Sequence, residues 1–360
     1  MLGHNPMVSI VINNYNYGRF LGEALESALA QTYPNTEVVV VDDGSTDNSR
    51  EVIEEYRDRV VPVLKENGGQ ASAFNAGFAA SSGEIVLFLD ADDYLFPEAI
   101  EQVVKAWEPG VVNIQYRLKQ VDATGNPLGS FNPAHDLPME RGEVWRTLLS
   151  RGYYRFPPTS ALVFHRAALE RVLPMPDKEY RIAADGYLAA LIPFYGRVGA
   201  IEEPLGAYRV HGNNLWKQRG LEMSSERLRG FVQHDLDKMD LIRRTAEKLR
   251  HKVPVDLDSR HYASLQTRLI LLRLHPQDHL IPDDTRAGLV YRGTQATWLY
   301  SSLPWRRKLR LSAWFIWVGL MPLPVAKLAI TWLFDNSSRP RIVQFLRWEA
   351  TVTSGETHST

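Results

Sequence analysis

The stretch IVLFLDADD, residues 85–93, joins an uninterrupted apolar run to three carboxylates. Such a run is typical of a strand that is buried on both faces, as in a parallel sheet. The acids therefore follow the carboxyl end of a buried strand, which is the edge where open α/β sheets bind their ligands. The sequence predicts that the fold and a functional site meet here.

The segments before this stretch repeat the pattern from residue 8 to about residue 115. Short β-branched runs alternate with amphipathic stretches, which predicts a doubly wound α/β domain with a mostly parallel, twisted sheet flanked by helices. Apolar residues from Phe20 to Leu29 form one helical stripe, and Asn48 with Glu51 resembles a capping box, with Asp47 as the alternative cap. Either cap would use a later residue, so Asp42 and Asp43 at the end of the preceding strand would not take part in capping. The predicted strands are VSIVIN at 8–13, TEVVVVDD at 36–43, VVPVL at 60–64 and EIVLFL at 84–89.

The remainder of the chain predicts a less regular second half of the domain and a helical region. Residues 1–215 are expected to form one domain, with halves at 1–110 and 111–215, followed by a helical region at 216–360. Within residues 111–215 the pattern predicts a hairpin turn at VDATGNPLG (121–129), a strand entering a helix at PPTSALVFHRAAL (157–169), a helix from Asp185 to Pro193 and a strand at RVGAIEEPLGAYRV (197–210).

Composition excludes several classes of protein. The chain has 360 residues, of which 44% are hydrophobic, so it can bury a substantial core. Its 41 basic and 42 acidic side chains nearly balance, which argues against nucleic acid as a partner. It has no cysteine and hence no disulfide or thiolate site. The first residues lack the pattern of a secretory signal, so a location in the cytoplasm or at the inner face of the cell membrane is expected.

A basic, tryptophan-rich segment lies near the C-terminus. RRKLR (306–310) precedes an apolar run at 311–326 that is shorter than a membrane-spanning helix requires and contains Pro322 and Pro324. Residues 305–334 are interpreted as a segment lying on an anionic membrane surface. A spanning helix and helices packed on the domain remain the alternatives.

Three polar motifs follow the first, second and fourth predicted strands. In DADD, Asp90 and Asp92 project to the same side of an extended chain and can share one hard divalent cation, although acids also end strands and cap helices. DDGSTD places two carboxylates where they can accept hydrogen bonds from a base or a ribose. NNYN supplies an amide and an aromatic ring, which can bond to a base and stack on it.

The order of these motifs, with ENGGQASAFNAGFAASSGE between the last two, resembles that of the inverting family-2 glycosyltransferases, whose fold is GT-A. The resemblance covers residues 7–215 and is strongest to about residue 105. It implies that residues 1–110 are the nucleotide-sugar half and residues 111–215 the acceptor half of the domain. It implies a set of site residues. The residues that would contact the nucleotide-sugar are Asn13, Tyr15, Asp42, Asp43, Asn67, Gln70, Asn75, Asp90, Ala91 and Arg209. A metal ion would be held by Asp92, Asp90 and His211, and Asp93 could share that role or the role of Asp90. The general base would be Asp185.

The resemblance also implies an activity. A sugar would pass with inversion from a nucleoside-diphosphate sugar, most often a UDP-sugar, to a saccharide or lipid-linked acceptor in polysaccharide or glycan synthesis, with Mn²⁺ or Mg²⁺. Ala184 departs from the family, which often has Glu there. A sugar nucleotidyltransferase and a dinucleotide oxidoreductase lack support because the early glycine-rich motif is missing. A non-catalytic nucleotide-sugar-binding module remains an alternative.

Overall fold

The computed structural model describes residues 5–212 and 224–334. These residues fall into two compact units, one made of residues 5–144 and 155–211 and the other of residues 145–154 and 224–334. The boundary predicted at residue 215 lies outside the described residues. Residues 145–154, which the sequence placed in the acceptor half, group with the second unit.

A nine-stranded mixed sheet forms the centre of the first unit in the described residues. Its order is β3-β2-β1-β4-β8-β6-β9-β5, with β7 beside β6. The strands are β1 Val8–Asn14, β2 Thr36–Asp43, β3 Val61–Lys65, β4 Ile85–Asp90, β5 Tyr94–Leu95, β6 Val111–Val121, β7 Pro127–Asn132, β8 Leu162–His165 and β9 Arg197–Arg209.

Parallel pairing holds through β3, β2, β1 and β4, as the sequence predicts. Beyond β4 the sheet becomes mixed, because β8 runs antiparallel to both β4 and β6. The predicted hairpin is confirmed as the β6–β7 pair, and the predicted strand at 197–210 is β9, which pairs in parallel with β6. Apolar runs reveal where strands lie but not their direction, so the sequence did not show this change.

Twelve α-helices occur in the described residues. They are α1 Gly18–Leu29, α2 Ser49–Glu55, α3 Gln70–Ala80, α4 Ala99–Lys105, α5 Val144–Arg151, α6 Arg166–Leu169, α7 Ala184–Leu191, α8 Ser225–Lys248, α9 Tyr262–Leu274, α10 Arg286–Leu299, α11 Trp305–Leu320 and α12 Leu323–Phe334. The predicted stripe on α1 is buried against the sheet. Helix α3 packs so closely that a Cβ on Gly77 would lie 2.2 Å from Val11 Cγ1, which explains its small residues.

The capping box predicted at α2 is wrong. Asn48 occupies the N-cap position but its side chain makes no capping hydrogen bond. Asp47, the alternative, accepts hydrogen bonds from the amide and hydroxyl of Ser49 at 3.0 and 2.5 Å. It also accepts the Gly18 amide at 2.9 Å, so the carboxylate joins the starts of α1 and α2.

The second unit is helical, as the sequence predicts. Helices α9 to α12 surround an apolar core that includes Leu265, Leu269, Trp314 and Phe315. Among the described residues, no helix is long and apolar enough to cross a membrane.

Candidate active site

The ends of β1, β2 and β4 bring the three predicted motifs together. Asn13 lies beside Asp90 in the β1–β4 register, and Asn14 lies beside Asp42 in the β1–β2 register. Strand order reverses at β1, so these side chains gather at the switch point of the parallel part of the sheet. The sequence-based expectation that the acids share one edge is therefore met.

Asp43 lies in a cradle of donors. Its carboxylate accepts hydrogen bonds from Lys65 Nζ at 2.7 Å, from Asn67 Nδ2 at 3.1 Å and from the amides of Gly68 and Gly69 at 2.9 and 2.7 Å. Gly69 has φ of +89°, and a Cβ there would lie 2.3 Å from the side chain of Arg181. Only glycine fits this turn, which fixes the loop before α3 onto the end of β2.

Asp42 is also engaged by the protein. It accepts hydrogen bonds from Asn14 Nδ2 at 3.0 Å, from the Ser45 amide at 3.1 Å and from Arg50 Nε at 2.9 Å. Capping does leave Asp42 and Asp43 uninvolved, because Asp47 makes the capping bonds, but other protein donors engage both carboxylates. Both carboxylates shape the loops that border the site.

In the part of the chain that the structure describes, Asn13 has polar atoms without a hydrogen-bond partner, and Tyr15 has an exposed ring. Both amide atoms of Asn13 are buried without a hydrogen-bond partner among the described residues. Leaving such a group unsatisfied costs about 1–3 kcal/mol, which a ligand could recover. The ring of Tyr15 is 47% exposed in the loop that follows β1. An unsatisfied amide near an exposed ring suits the recognition of a planar heterocycle.

Asp90 lies at the centre of a group of acids. Burial raises its pKa well above the usual range, and the charges of Asp92 and Asp185 add to this, against hydrogen bonds from Thr159 and Gln70. Gln70 also accepts the amide of Ala184 at 3.0 Å. One glutamine thus connects the end of β4 with the start of α7.

Asp92 contacts His211, so two of the residues that were predicted to hold a metal ion lie side by side. Its Oδ2 lies 2.9 Å from His211 Nε2. The imidazole packs against the rings of Tyr17 and Phe20 with centroids 5.4 and 5.2 Å away. Burial raises the pKa of Tyr17, and the charges of Asp92 and Asp90 raise it further, so its hydroxyl stays protonated beside the acids.

Asp93 and Arg209 hold neighbouring segments of the site together through hydrogen bonds. Asp93 accepts the Ser160 hydroxyl at 2.7 Å and the Arg209 amide at 2.9 Å. The guanidinium of Arg209 bonds to the carbonyl of Asp92 at 2.9 Å and to Glu23, and it lies over the ring of Phe20. These contacts favour a structural role for Arg209 over its predicted contact with the diphosphate. The side chain of Ala91 packs in the core, so only its backbone is available to a ligand.

Asp185 opens α7 and is buried. The preceding Ala183 adopts φ of 65° and ψ of 41°, a left-handed conformation that costs about 1–2 kcal/mol for a residue with a Cβ. Asp185 raises the pKa of Asp90, so the two carboxylates share one electrostatic environment although 95 positions separate them in the sequence. The predicted base thus lies with the predicted metal and ribose ligands.

Asn67 and Asn75 bind protein groups. Asn67 donates to Asp43, and its carbonyl oxygen accepts a hydrogen bond from Arg181. Asn75 holds the loop before α7 through the backbone of Met175 at 2.8 and 2.9 Å and the carboxylate of Asp177 at 2.9 Å. Their contact with a diphosphate stays a prediction.

Sequence reasoning missed four residues of the site. Thr159 and Ser160 reach the acids from a 3₁₀ turn that precedes β8, and Glu23 reaches Arg209 from α1. Tyr17 contacts His211. Only Tyr17 had a usable signal, because it follows the NNYN motif on the same loop.

The acids suit a divalent cation that is shared with a ligand. Among the described residues, no three or more His, Asp or Glu side chains gather as a complete metal site. Asp92 and His211 offer an adjacent oxygen and nitrogen, and cations such as Mg²⁺ are commonly bound by one or two protein ligands and substrate phosphates. The residues present therefore fit a cation that a phosphorylated ligand helps to hold.

Comparisons with known proteins identify glycosyltransferases as relatives of this chain. The family model described as glycosyl transferase family 2 matches residues 9–170. An uncharacterized glycosyltransferase of Nostoc sp. (strain PCC 7120) is 38% identical over 244 residues, covering 62% of this chain and 75% of that protein. Glycosyltransferase GlyG of Streptococcus pneumoniae is 43% identical over 101 residues, but the match spans 27% of this chain and 34% of GlyG.

Solved structures confirm the fold. S. aureus TarS 1-349 has a TM-score of 0.51 at 17% identity, covering 91% of this chain and 90% of that one. The same fragment in complex with UDP-GlcNAc has a TM-score of 0.50 at 17% identity, covering 91% of each chain. The mixed sheet flanked by helices is thus GT-A-like, as predicted. The chain belongs to glycosyl transferase family 2.

Proposed function

We propose that the first unit transfers a sugar, with inversion, from a nucleoside-diphosphate sugar to a hydroxyl of a saccharide or lipid-linked acceptor. The reaction would serve the synthesis of a cell-surface polysaccharide or glycan, in the cytoplasm. The observation that carries the proposal is the position of Gln70, which hydrogen-bonds to Asp90 and accepts the Ala184 amide at 3.0 Å and so joins the end of β4 to the start of α7, where Asp185 lies. The fold shared with TarS, which binds UDP-GlcNAc, makes UDP-sugars the first donors to test.

The nucleotide would lie along the ends of β1 and β2. The unsatisfied amide of Asn13 and the exposed ring of Tyr15 would receive the base. Asp42 and Asp43 would act mainly by fixing the loops around it, since protein donors already surround both carboxylates. Asp90 would face the ribose, and a cation there would offset the repulsion among the acids.

Asp92 and His211 would hold a divalent cation, Mn²⁺ or Mg²⁺, which when bound offsets the charge on the departing diphosphate. The imidazole nitrogen favours Mn²⁺, because Mg²⁺ prefers oxygen ligands.

Asp185 would supply the base. As the acceptor oxygen bonds to the anomeric carbon, the bond from that carbon to the diphosphate breaks, and its electron pair leaves with the diphosphate. The proton of the acceptor hydroxyl passes to the Asp185 carboxylate. A single displacement inverts the anomeric centre and requires no covalent intermediate on the protein.

Nucleotide release from UDP-, GDP- and dTDP-sugars with Mn²⁺ or Mg²⁺ tests the proposal. We expect slow hydrolysis of one donor by the wild-type protein and its loss in Asp92→Ala and Asp185→Asn. Asp58 is exposed, so Asp58→Asn is the matched control and should retain the wild-type rate of donor hydrolysis. Donor binding without turnover for any acceptor would favour a binding module, and formation of a nucleotide-sugar from a nucleoside triphosphate and a sugar phosphate would favour a nucleotidyltransferase.

A further inference from the structure

Helix α11 exposes an apolar face. Trp305, Leu309, Ala313, Ile316 and Leu320 are exposed, and their spacing places them within an arc of about 80° on a helix. Trp305 is 62% exposed, Leu309 49% and Leu320 60%. These five residues are called the α11 stripe.

The core of the second unit does not need this stripe. Trp314, Phe315 and Val318 of the same helix are fully buried and supply its contact with the rest of the unit. The indole of Trp314 also donates to the Ala329 carbonyl at 3.1 Å, which fixes α11 against α12. The α11 stripe is therefore a second apolar surface, facing away from the core.

Helix α8 of the same unit shows the ordinary arrangement. Its buried positions are mainly apolar, and its exposed positions are polar apart from Gly230. The exposed polar residues are Glu226, Arg229, Gln233, Asp240, Arg244, Glu247 and Lys248. A helix that presents apolar residues both inward and outward is uncommon on a water-exposed surface and marks an interaction site.

Charge near the α11 stripe has one sign. Residues 285–334 contain seven basic and no acidic side chains. Three of them, Arg306, Arg307 and Lys308, lie in the first turn of α11, where the helix dipole disfavours positive charge. The helix dipole therefore does not favour these charges. Arg306 lies over the ring of Trp305 and Lys308 donates to the carbonyl of Trp298 at 3.0 Å, contacts that leave an anionic partner to offset their charge.

We propose that the α11 stripe and its basic residues dock the protein on an anionic membrane surface, with α11 lying in the interface. Trp305, Leu309, Ile316 and Leu320 would enter the boundary between headgroups and acyl chains, where an amphipathic helix gains most from apolar burial. Arg306 and Lys308, which flank the two edges of the stripe on the helix, would meet the anionic headgroups. The same apolar exposure extends into α12 at Leu328, which is 51% exposed. The proposal is independent of the reaction in the first unit.

Flotation of the full chain with vesicles tests the docking. We expect binding to vesicles of phosphatidylglycerol and phosphatidylcholine in equal parts, weakening with added salt, and little binding to phosphatidylcholine alone. Arg306→Gln and Lys308→Gln together should weaken partition on the order of 25-fold, since each such charge contributes roughly a fivefold factor. The matched control removes two charges from α8 through Arg229→Gln and Lys248→Gln and should bind nearly as the wild type.

A second pair of variants tests the contribution of the apolar residues of the α11 stripe to vesicle binding. Leu309→Glu should weaken partition by about tenfold or more. Leu128→Glu in β7, at a side chain that is 48% exposed, should not. Unchanged thermal unfolding of each variant would show that folding is intact. Absence of vesicle binding by the wild type, or equal binding by the α8 and α11 charge variants, would overturn the proposal. A lipid-free dimer that Leu309→Glu dissociates, without vesicle binding, would assign the face to a second copy and overturn it too.

Discussion

Asp90 in the first unit and Asp284 in the second are both surrounded by ionisable groups, but the balance of charge is opposite. Asp90 has Asp92 and Asp185 as neighbours, and burial and these charges raise its pKa. Burial alone would raise the pKa of Asp284, but hydrogen bonds and charge from Arg268, with bonds from His279 and Arg292, hold it below the usual value. The fold thus favours the ionised form of Asp284 and disfavours that of Asp90. The comparison separates a carboxylate whose charge stabilises the fold from one whose charge the fold opposes.

The largest expected effect is on turnover at the acid-rich site. Asp185→Asn keeps the shape of the side chain and removes the base, so we expect donor turnover with acceptor to fall by roughly 10² to 10⁴-fold. The free energy of unfolding should change by less than about 1 kcal/mol, because one of several mutually repelling charges is lost. Steady-state rates and urea unfolding measure both quantities. Unfolding of the variant, or a retained rate, would contradict the role assigned to Asp185.

The second effect is on stability at the cation-rich site. Asp284 is fully buried and accepts Arg268 at 2.6 and 2.8 Å and Arg292 at 2.6 Å. Asp284→Asn leaves Arg268 buried without its counter-charge and should destabilise the second unit by about 3–5 kcal/mol. Asp256→Asn is the control, because its pair with Arg260 at 2.6 Å is half exposed and contributes at most about 1 kcal/mol. Equal losses in the two variants would show that burial does not set the difference.

Gln70 sharpens the comparison because it connects Asp90 with α7. We expect Gln70→Ala to lower kcat by about tenfold with little change in donor KM, since the start of α7, which carries Asp185, would lose the bond from the Ala184 amide to Gln70. Gln31→Ala is a matched control: its amide likewise joins two segments, accepting the Ile100 amide and donating to the Phe96 carbonyl, each at 3.0 Å. It should cost about 1 kcal/mol of stability and leave kcat unchanged. A rise in donor KM in Gln70→Ala would instead support its predicted contact with the diphosphate.

The sequence predicted the strand ends well and the side-chain directions poorly. Apolar runs located β1, β2 and β4, and parallel pairing then required their polar ends to meet. Asp92 and Asp93 are adjacent acids of one motif, yet Asp92 faces His211 and Asp93 faces Ser160 and β9. That difference depends on contacts made by segments more than 60 positions away, which local patterns do not encode.

Asp284 shows a second limit of sequence reasoning. Its partners Arg268, His279 and Arg292 lie within 16 positions of it. Charges in helical segments are mostly solvated, so nothing in their spacing predicts that a turn between α9 and α10 buries one acid among them. The role of Asp185 came from the family resemblance, since an acid in the first turn of a helix is also an ordinary feature.

The smallest expected effect is the dependence of the second unit on pH. Because the pKa of Asp284 is lower in the folded state than in the unfolded chain, its contribution to stability is present above the unfolded pKa of about 3.9 and is lost as the pH falls through the folded value. The unfolding free energies of the wild type and Asp284→Asn should therefore converge in acid, with a slope from this one group of at most about 1.4 kcal/mol per pH unit. Urea titrations of both proteins between neutral pH and strong acid measure the gap. A gap that stays constant with pH would mean that the packing of the side chain, and not its charge, stabilises the unit.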